Sequence, residues 1–373
     1  MRYSFVLPCR NEEKAIGVCI KKIRLIMNEL AIPLEEYEII SSDSSWDKSP
    51  EIARSLGAKV VKHNKVGYGN AYLEGFKHVQ GEIVILGDAD DTYNFLELPN
   101  LLAHIDKHDL VLGERKYFKK GSMPFLNKYI GNPILSGMLR LFYRAKVKDA
   151  HTGFRVIKKS ALDRLNLQTT GMEFASEMIV KAFKLRLRIK EVPINYHPRR
   201  GETKLRRFRD AWRHIRFLLL YSPLWLFFLP GLFLFFLGLI PMILLYMDTI
   251  TILGIRLFYH PMFLFALLVM VGYQLIIFSL FAKTYAITHL GEKSPGINFI
   301  SKHLTIERTS IIGLLITLTG IIIYAFIFSR WMRGESASFN EIKNSIVALT
   351  LIVIGIQTIS SSFMLSILGI KEN

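Results

Sequence analysis

Four long apolar segments in the C-terminal half of the chain restrict its possible folds more than any other feature. They cover residues 224–246, 262–281, 311–328 and 346–368. A helix of about 20 apolar residues is long enough to cross the hydrocarbon core of a bilayer. The pattern therefore predicts an α-helical membrane domain of four transmembrane helices over residues 223–373, and it excludes an ordinary soluble protein.

The basic residues are concentrated immediately before the first apolar segment. The chain has 48 Lys and Arg against 31 Asp and Glu, and its formal net charge is +17. Lys and Arg accumulate on the cytoplasmic side of membrane proteins, where they also attract anionic lipids. We therefore expect a multi-pass protein of the cell membrane with a cytoplasmic domain over residues 1–198. Residues 199–222 are expected to form a basic amphipathic juxtamembrane segment that contacts membrane lipids, and no nucleic-acid partner is expected.

Residues 1–198 alternate short apolar runs with amphipathic stretches. Such alternation is typical of βαβ units that build a mostly parallel, Rossmann-like α/β sheet. The predicted strands are residues 3–7, 37–41, 59–63, 82–86 and 110–112. The predicted helices are residues 14–30, 50–56, 70–79 and 96–108.

Acidic residues follow two of these predicted strands. Asp88 and Asp90 come directly after residues 82–86, and Asp43 follows residues 37–41. Ligands of open α/β sheets bind at the carboxyl ends of the strands. Residues i and i+2 of an extended chain point the same way, so Asp88 and Asp90 could bind one hard divalent cation together with a diphosphate. An acidic, solvated loop would show the same pair, so the spacing alone leaves both interpretations open.

A glycine-containing turn lies between the third predicted strand and the helix that follows it. It reads Asn-Lys-Val-Gly-Tyr-Gly-Asn-Ala over residues 64–71. The free N–H groups at the start of a helix bind phosphate or sugar oxygens. Lys65 and Gly67 are therefore candidate ligands of a nucleotide sugar.

In their order along the chain, these motifs resemble the inverting family 2 glycosyltransferases of the GT-A fold. Within that family the resemblance is to the dolichol-phosphate mannose or glucose synthase group, and it covers roughly residues 2–221. The matching segments are residues 7–13, Ser42-Asp43 with Asp47, the turn at 64–71, residues 88–90, 113–115, 149–155, 171–177 and 200–205.

The resemblance implies a role for each matching residue. The implied nucleotide-sugar ligands are Pro8, Arg10, Asn11, Glu12, Asp43, Asp88 and Ala89, in addition to Lys65 and Gly67. Asp88 and Asp90 would bind Mn²⁺ or Mg²⁺. The acceptor phosphate would be bound by Arg115, Arg200, Lys204 and Arg206, and the implied catalytic residues are Asp90, Arg115 and Arg200.

By the same resemblance, the acceptor is dolichyl or polyprenyl phosphate and the donor is UDP-glucose or GDP-mannose. A lipid phosphate is already anionic, so it attacks the anomeric carbon without a general base and inverts it. Catalysis then consists of positioning and charge stabilisation. The chain departs from the family pattern in two places: the loop after Asp43 is one residue shorter than usual, and Thr92 stands where the mannose synthases have Gln.

Two other functions fit parts of the sequence. A processive polysaccharide synthase would also join such a domain to membrane helices, but Ile327 stands where the Gln-x-x-Arg-Trp motif of those enzymes requires Gln. A glycolipid flippase with a nucleotide-sugar-binding domain is the other alternative, and the apolar segments contain few of the ionisable residues that mark transport pathways. A homo-oligomer formed through the membrane helices is compatible with the pattern.

Overall fold

The alternating N-terminal half of the chain folds into a helix-covered sheet, and the apolar half folds into long helices. The computed structural model describes residues 1–123, 129, 131–143, 145–201, 207–248, 250–252, 255–289, 305–334 and 339–369. The chain divides into two units, Met1–Tyr221 and Ser222–Asn373. Residues 207–220 of the basic juxtamembrane segment therefore belong to the first unit.

The sheet of the first unit is mixed and, within the described residues, has seven strands. They are β1 Tyr3–Cys9, β2 Tyr37–Asp43, β3 Lys59–Lys62, β4 Ile83–Leu86, β5 Leu110–Phe118, β6 Arg155–Lys158 and β7 Ile189–Tyr196. Their order is β3-β2-β1-β4-β6-β5-β7. All neighbours run parallel except β6, which lies antiparallel between β4 and β5. The predicted GT-A-like α/β class is confirmed.

Helices cover both faces of this sheet. They are α1 Ile16–Glu29, α2 Ser49–Ser55, α3 Tyr68–Phe76, α4 Leu98–Leu102, α5 Asn132–Tyr143, α6 Lys159–Leu165, α7 Phe174–Lys184 and α8 Arg207–Leu220. Alternate residues of β1 point to opposite faces: Phe5 and Leu7 join a core with α1 and α4, whereas Val6 joins a core with α3, α7 and α8. Full burial of such a side chain contributes about 1.5–3 kcal/mol, so both faces hold the strand ends in register.

The second unit contains four candidate membrane spans among the described residues. They are Leu224–Met247, His260–Thr288, Ile306–Met332 and Asn340–Gly369. The predicted count of four is confirmed, and the chain is a membrane protein. The second span continues beyond the predicted end at residue 281, so Lys283 lies within this helix and not in the loop after it. A small hairpin of Ile250–Ile252 and Ile255–Leu257 follows the first span.

Glycines allow these helices to pack in pairs at backbone distance. A Cβ atom on Gly272 of the second span would lie 2.4 Å from the backbone nitrogen of Phe235 in the first. One on Gly355 of the fourth span would lie 2.7 Å from the carbonyl oxygen of Gly313 in the third. Small residues at such crossings let membrane helices associate through close van der Waals packing.

Candidate functional site

The carboxyl ends of β2, β1 and β4 lie side by side, as the sequence predicted. Cys9 of β1 pairs with Asp43 of β2, and Val6 pairs with Leu86 of β4. The segments that follow these strands, residues 10–12, 44–47 and 87–92, therefore share one edge of the sheet. The predicted nucleotide-sugar and metal ligands Pro8, Arg10, Asn11, Glu12, Asp43, Asp88, Ala89 and Asp90 all lie on or directly after these strands.

Asp43 is fully buried and holds the loop that follows its own strand. Its Oδ1 accepts a hydrogen bond from the Ser45 amide at 3.0 Å, and its Oδ2 accepts one from the Ser45 hydroxyl at 2.9 Å. The Lys62 ammonium lies 3.3 Å from Oδ1. In this structure the carboxylate thus shapes the shortened loop instead of pointing into open space.

The same loop presents an aromatic ring, Trp46, that the sequence did not single out. The Asn11 side chain accepts a hydrogen bond from the Trp46 amide at 3.1 Å, which fixes the backbone of Trp46. The Trp46 ring is 75% exposed, and the Arg10 guanidinium lies 5.3 Å from its centre. An exposed ring on a fixed backbone beside a cation offers a stacking surface.

Asp88 is held by Tyr68, the first residue of α3. The Tyr68 hydroxyl donates to its Oδ1 at 3.1 Å. Burial and then the negative charge of Asp90 raise the pKa of the Asp88 carboxyl, although the hydrogen bond from Tyr68 opposes this shift. The two carboxylates therefore lie close enough to repel each other.

The chain turns at Ala89 and Asp90. The expectation that Asp88 and Asp90 point the same way assumed an extended chain here, so this local conformation differs from the predicted one. Asp91 adopts a positive φ of 63° in this turn. Asp90 accepts hydrogen bonds through Oδ1 from the Thr92 amide at 3.1 Å and the Thr92 hydroxyl at 2.6 Å. Asp91 pairs with Lys22 at 2.6 Å and with Arg200 at 2.7 Å, so it supports the turn.

A segment that we call the strap, residues 197–201, runs alongside this turn. The His197 amide donates to the Thr92 carbonyl at 2.9 Å, and the Arg200 amide donates to the Asp90 carbonyl at 3.0 Å. Arg199 pairs with Asp90 at 3.1 Å and also with Glu12. From the sequence, Arg199 was expected only to belong to the basic segment at residues 199–222. Its position directly before the predicted site residue Arg200 was the one indication that it lies in the site.

Two amides of the glycine turn bond to another loop of the fold. The amides of Gly69 and Asn70 donate to the carbonyls of Gly171 and Thr170 at 3.1 and 3.0 Å. Lys65 pairs with Glu74 at 2.5 Å. These two N–H groups at the start of the helix are thus used within the fold. The turn, where Gly67 has a φ of +139°, positions Tyr68 for its bond to Asp88.

Arg115 forms a buried pair with Asp149 instead of reaching outward for a phosphate. Its Nε and Nη2 donate to the two carboxylate oxygens at 2.7 and 2.6 Å, and its backbone amide donates at 3.1 Å. The Arg115 side chain is only 8% exposed. Burial opposes ionisation of Asp149, but the Arg115 charge and hydrogen bonds outweigh it and lower the pKa of Asp149.

Of the remaining predicted acceptor ligands, Arg200 lies on the strap with its side chain 56% exposed. Lys204 and Arg206 lie outside the described residues. The structure therefore places Arg200 beside Asp90 at this edge of the sheet. The Arg115 guanidinium is instead paired with Asp149.

A buried hydrogen-bonded cluster joins α8 to the loop that contains Asp149. The Ser176 hydroxyl lies 3.0 Å from Nε2 of His151 and 2.8 Å from Nδ1 of His214. The two imidazole rings contact each other edge to face at 4.6 Å between centres. Burial lowers the pKa of His214 from its ordinary 6.5 to about 4, and burial likewise lowers the pKa of His151.

Because the pKa values of His214 and His151 are lowered in the folded protein, we expect the protein to lose stability in mild acid. The unfolded chain binds a proton at His214 below pH 6.5, whereas the folded chain does so only near pH 4. Stability from this group is therefore complete above pH 6.5 and falls with decreasing pH, by about 2 kcal/mol at pH 5. Thermal unfolding of the detergent-solubilised protein at pH 7.5 and 5.0 measures the loss.

His214→Asn keeps a hydrogen-bonding group near Ser176 but does not titrate, so its melting temperature should fall less between the two pH values. His78→Asn, outside the cluster, should behave like the wild type. Equal falls in the wild type and in His214→Asn would contradict the prediction.

The carboxylates Asp88 and Asp90 fit a divalent cation. Oxygen ligands suit Mg²⁺ and Mn²⁺, and a cation between two carboxylates that repel each other would stabilise both. The described residues contain no cluster of three or more His, Cys, Asp and Glu side chains suited to a metal. Two carboxylates are nevertheless a sufficient protein contribution when substrate phosphates supply further ligands.

Both halves of the chain are similar to known proteins. Residues 4–165 match the model of glycosyl transferase family 2, and residues 280–369 match that of the family 2 C-terminal transmembrane region. The chain is 37% identical to the low-salt glycan biosynthesis hexosyltransferase Agl6 of Haloferax volcanii over 98% of this chain and 89% of the relative. It is 34% identical to a dolichyl-phosphate hexose transferase of the same organism over 54% of this chain and 85% of the relative.

A further relative and a solved structure are more distant. The chain is 27% identical to the dolichol-phosphate mannosyltransferase of Pyrococcus furiosus, over 55% of this chain and 60% of the relative. Glucosyl-3-phosphoglycerate synthase from Mycobacterium tuberculosis, crystallised with Mn²⁺ and UDP-glucose, is 21% identical with a TM-score of 0.47; the match covers 59% of this chain and 79% of that one.

The fold, the acidic strand end and the membrane helices define a membrane-bound glycosyltransferase. The full-length similarity to Agl6 extends through both units. The chain belongs to glycosyl transferase family 2.

Proposed function

We propose that this protein transfers a hexose from a nucleoside-diphosphate sugar to dolichyl or polyprenyl phosphate, with inversion at the anomeric carbon. The donor is UDP-glucose or GDP-mannose. The observation that carries the proposal is the pair Asp88 and Asp90 at the end of β4, in a chain that aligns almost throughout with a hexosyltransferase. Similarity to a dolichyl-phosphate hexose transferase supports the lipid acceptor.

In this proposal the sheet edge binds the donor. Pro8, Arg10, Asn11 and Glu12 surround the nucleoside, and Asp43 holds the loop beside them. The exposed Trp46 ring provides a flat surface beside Arg10. Asp88 and Asp90 hold Mn²⁺ or Mg²⁺, which when bound neutralises the charge of the leaving diphosphate. Tyr68 and Thr92 keep the two carboxylates in place through their hydrogen bonds.

The basic side of the site binds the acceptor phosphate. Arg200 contributes a guanidinium from the strap, and Lys204 and Arg206 follow it in sequence. Arg115 acts through Asp149 by fixing the end of β5. The acceptor phosphate is already an anion, so this set of residues needs to orient it and balance charge, not to remove a proton.

The catalytic unit lies on the cytoplasmic side in this proposal. Arg209, Arg213 and Arg216 on α8 precede the first span, and after two crossings Lys283 and Arg308 lie at the ends of the second and third spans that would return to the same side. This distribution follows the excess of positive charge on cytoplasmic loops.

The test is a transfer assay with purified protein, Mn²⁺ or Mg²⁺, a short polyprenyl phosphate and labelled UDP and GDP sugars. We expect one donor to transfer label into the organic phase and EDTA to abolish this transfer. A panel in which no donor labels the lipid, although nucleotide sugars bind, would refute the acceptor and favour a processive synthase or a flippase. Protein treated with EDTA and then supplied with Mn²⁺ is the control for the metal.

A further inference from the structure

Arg199 bridges two carboxylates that follow different strands. Its Nη1 lies 3.1 Å from Oδ2 of Asp90, which follows β4, and its Nη2 contacts Oε1 of Glu12, which follows β1. Glu12 and Asp90 are each only 6% exposed. A single guanidinium thus neutralises two nearly buried negative charges in the proposed donor site.

The contacts of Asp90 leave one of its oxygens for a cation. Oδ1 already accepts two hydrogen bonds from Thr92, so Oδ2 is the oxygen that faces Arg199. A divalent ion binds carboxylate oxygen at about 2.0–2.2 Å. An ion at Oδ2 would lie next to the positive guanidinium, and the repulsion between them makes the two cations alternatives.

The bonding of Arg199 is also incomplete. Its Nε is buried and has no hydrogen-bond partner among the described residues. A buried polar group without a partner costs free energy, so this position is less favourable for Arg199 than a fully bonded ion pair. By contrast, the guanidinium of the neighbouring Arg200 pairs with Asp91, which is not one of the two proposed metal ligands.

We infer that Arg199 is an internal counter-ion that competes with the divalent cation for Asp90. This inference rests on the proposed function, because it assumes that Asp90 binds a metal. Arg199 neutralises Asp90 and Glu12 before the metal arrives. It moves away when the metal binds with a nucleoside diphosphate, whose negative charge then attracts the guanidinium. The metal alone consequently binds weakly.

The test measures binding of Mn²⁺ alone to full-length protein in detergent, with free Mn²⁺ followed by electron paramagnetic resonance. Arg199→Ala removes the competitor and should bind Mn²⁺ about tenfold more tightly than the wild type, a change of about 1.4 kcal/mol. Arg199→Lys keeps the charge and should stay closer to the wild type. Arg188→Ala removes an arginine from an exposed Arg–Asp pair and should leave Mn²⁺ affinity unchanged.

Two further variants make the result specific. Asp90→Asn in the Arg199→Ala background should eliminate the gain, because it removes the ligand over which the cations compete. Arg199→Gln retains hydrogen-bonding capacity without charge, and it replaces Arg199→Ala if melting temperatures show that the latter misfolds.

The inference would be overturned if folded Arg199→Ala or Arg199→Gln bound Mn²⁺ no more tightly than the wild type. Lack of Mn²⁺ binding by every variant would overturn it as well. The lipid-labelling assay on the same preparations then reports separately whether the proposed transferase function stands.

Discussion

Asp90→Asn is expected to reduce the turnover number of lipid glycosylation about a thousandfold while the protein remains folded. The asparagine Oδ1 can still accept both hydrogen bonds from Thr92, so the turn after β4 is retained. What is lost is the negative charge that would hold the metal beside Asp88. Initial rates of lipid labelling at saturating donor and acceptor measure the effect.

The matched control is Asp163→Asn. This aspartate lies on α6, is 58% exposed and pairs with Lys159 one helical turn away, so its charge lies in solvent. Such a pair contributes little to stability, and this variant should label lipid at the wild-type rate. If Asp90→Asn retains most of the activity and a normal melting temperature, Asp90 is not a metal ligand, and the proposed role of the cation is wrong.

The chemistry at the strand ends was readable from the sequence because it depends on position along the chain. The sequence predicts parallel strands whose carboxyl ends are followed by Asp88–Asp90, by Asp43 and by residues 10–12, and such ends share one edge of a sheet. The parallel register of β1 with β2 and β4 confirms this shared edge. Strands β6 and β7 were missed. β6 has only two apolar residues, and β7 contains Pro193, which an outer strand of a sheet tolerates.

The contacts that orient the site could not be read in the same way, because they join residues far apart in sequence. Arg115 and Asp149 are separated by 34 positions, and Tyr68 reaches Asp88 from a helix on the other side of the turn. Glu177, buried and bonded to the amides of Gln168 and Thr169, holds the loop whose carbonyls bind the glycine turn. The sequence indicated the helix start after the glycine turn but not the loop that binds it.

The Arg115–Asp149 pair leads to the other large expected effect. Arg115→Ala would leave the Asp149 carboxylate buried without its partner, and removal of one member of a buried ion pair costs about 3–5 kcal/mol. Chemical denaturation of the detergent-solubilised protein should therefore show a marked loss of stability. Arg188→Ala, which breaks the exposed pair with Asp109, should cause no measurable loss.

Replacement of both partners separates stability from function at this position. Arg115→Met with Asp149→Leu substitutes apolar side chains for the pair and should recover part of the stability, since such exchanges are often neutral or stabilising. The recovery is incomplete because the Arg115 amide loses its acceptor on Asp149. Lipid labelling should nevertheless remain low, because the guanidinium no longer fixes the end of β5 beside the acceptor phosphate. If the double variant regains activity together with stability, Arg115 serves only the fold, and the phosphate must be bound by Arg200 and the basic residues that follow it.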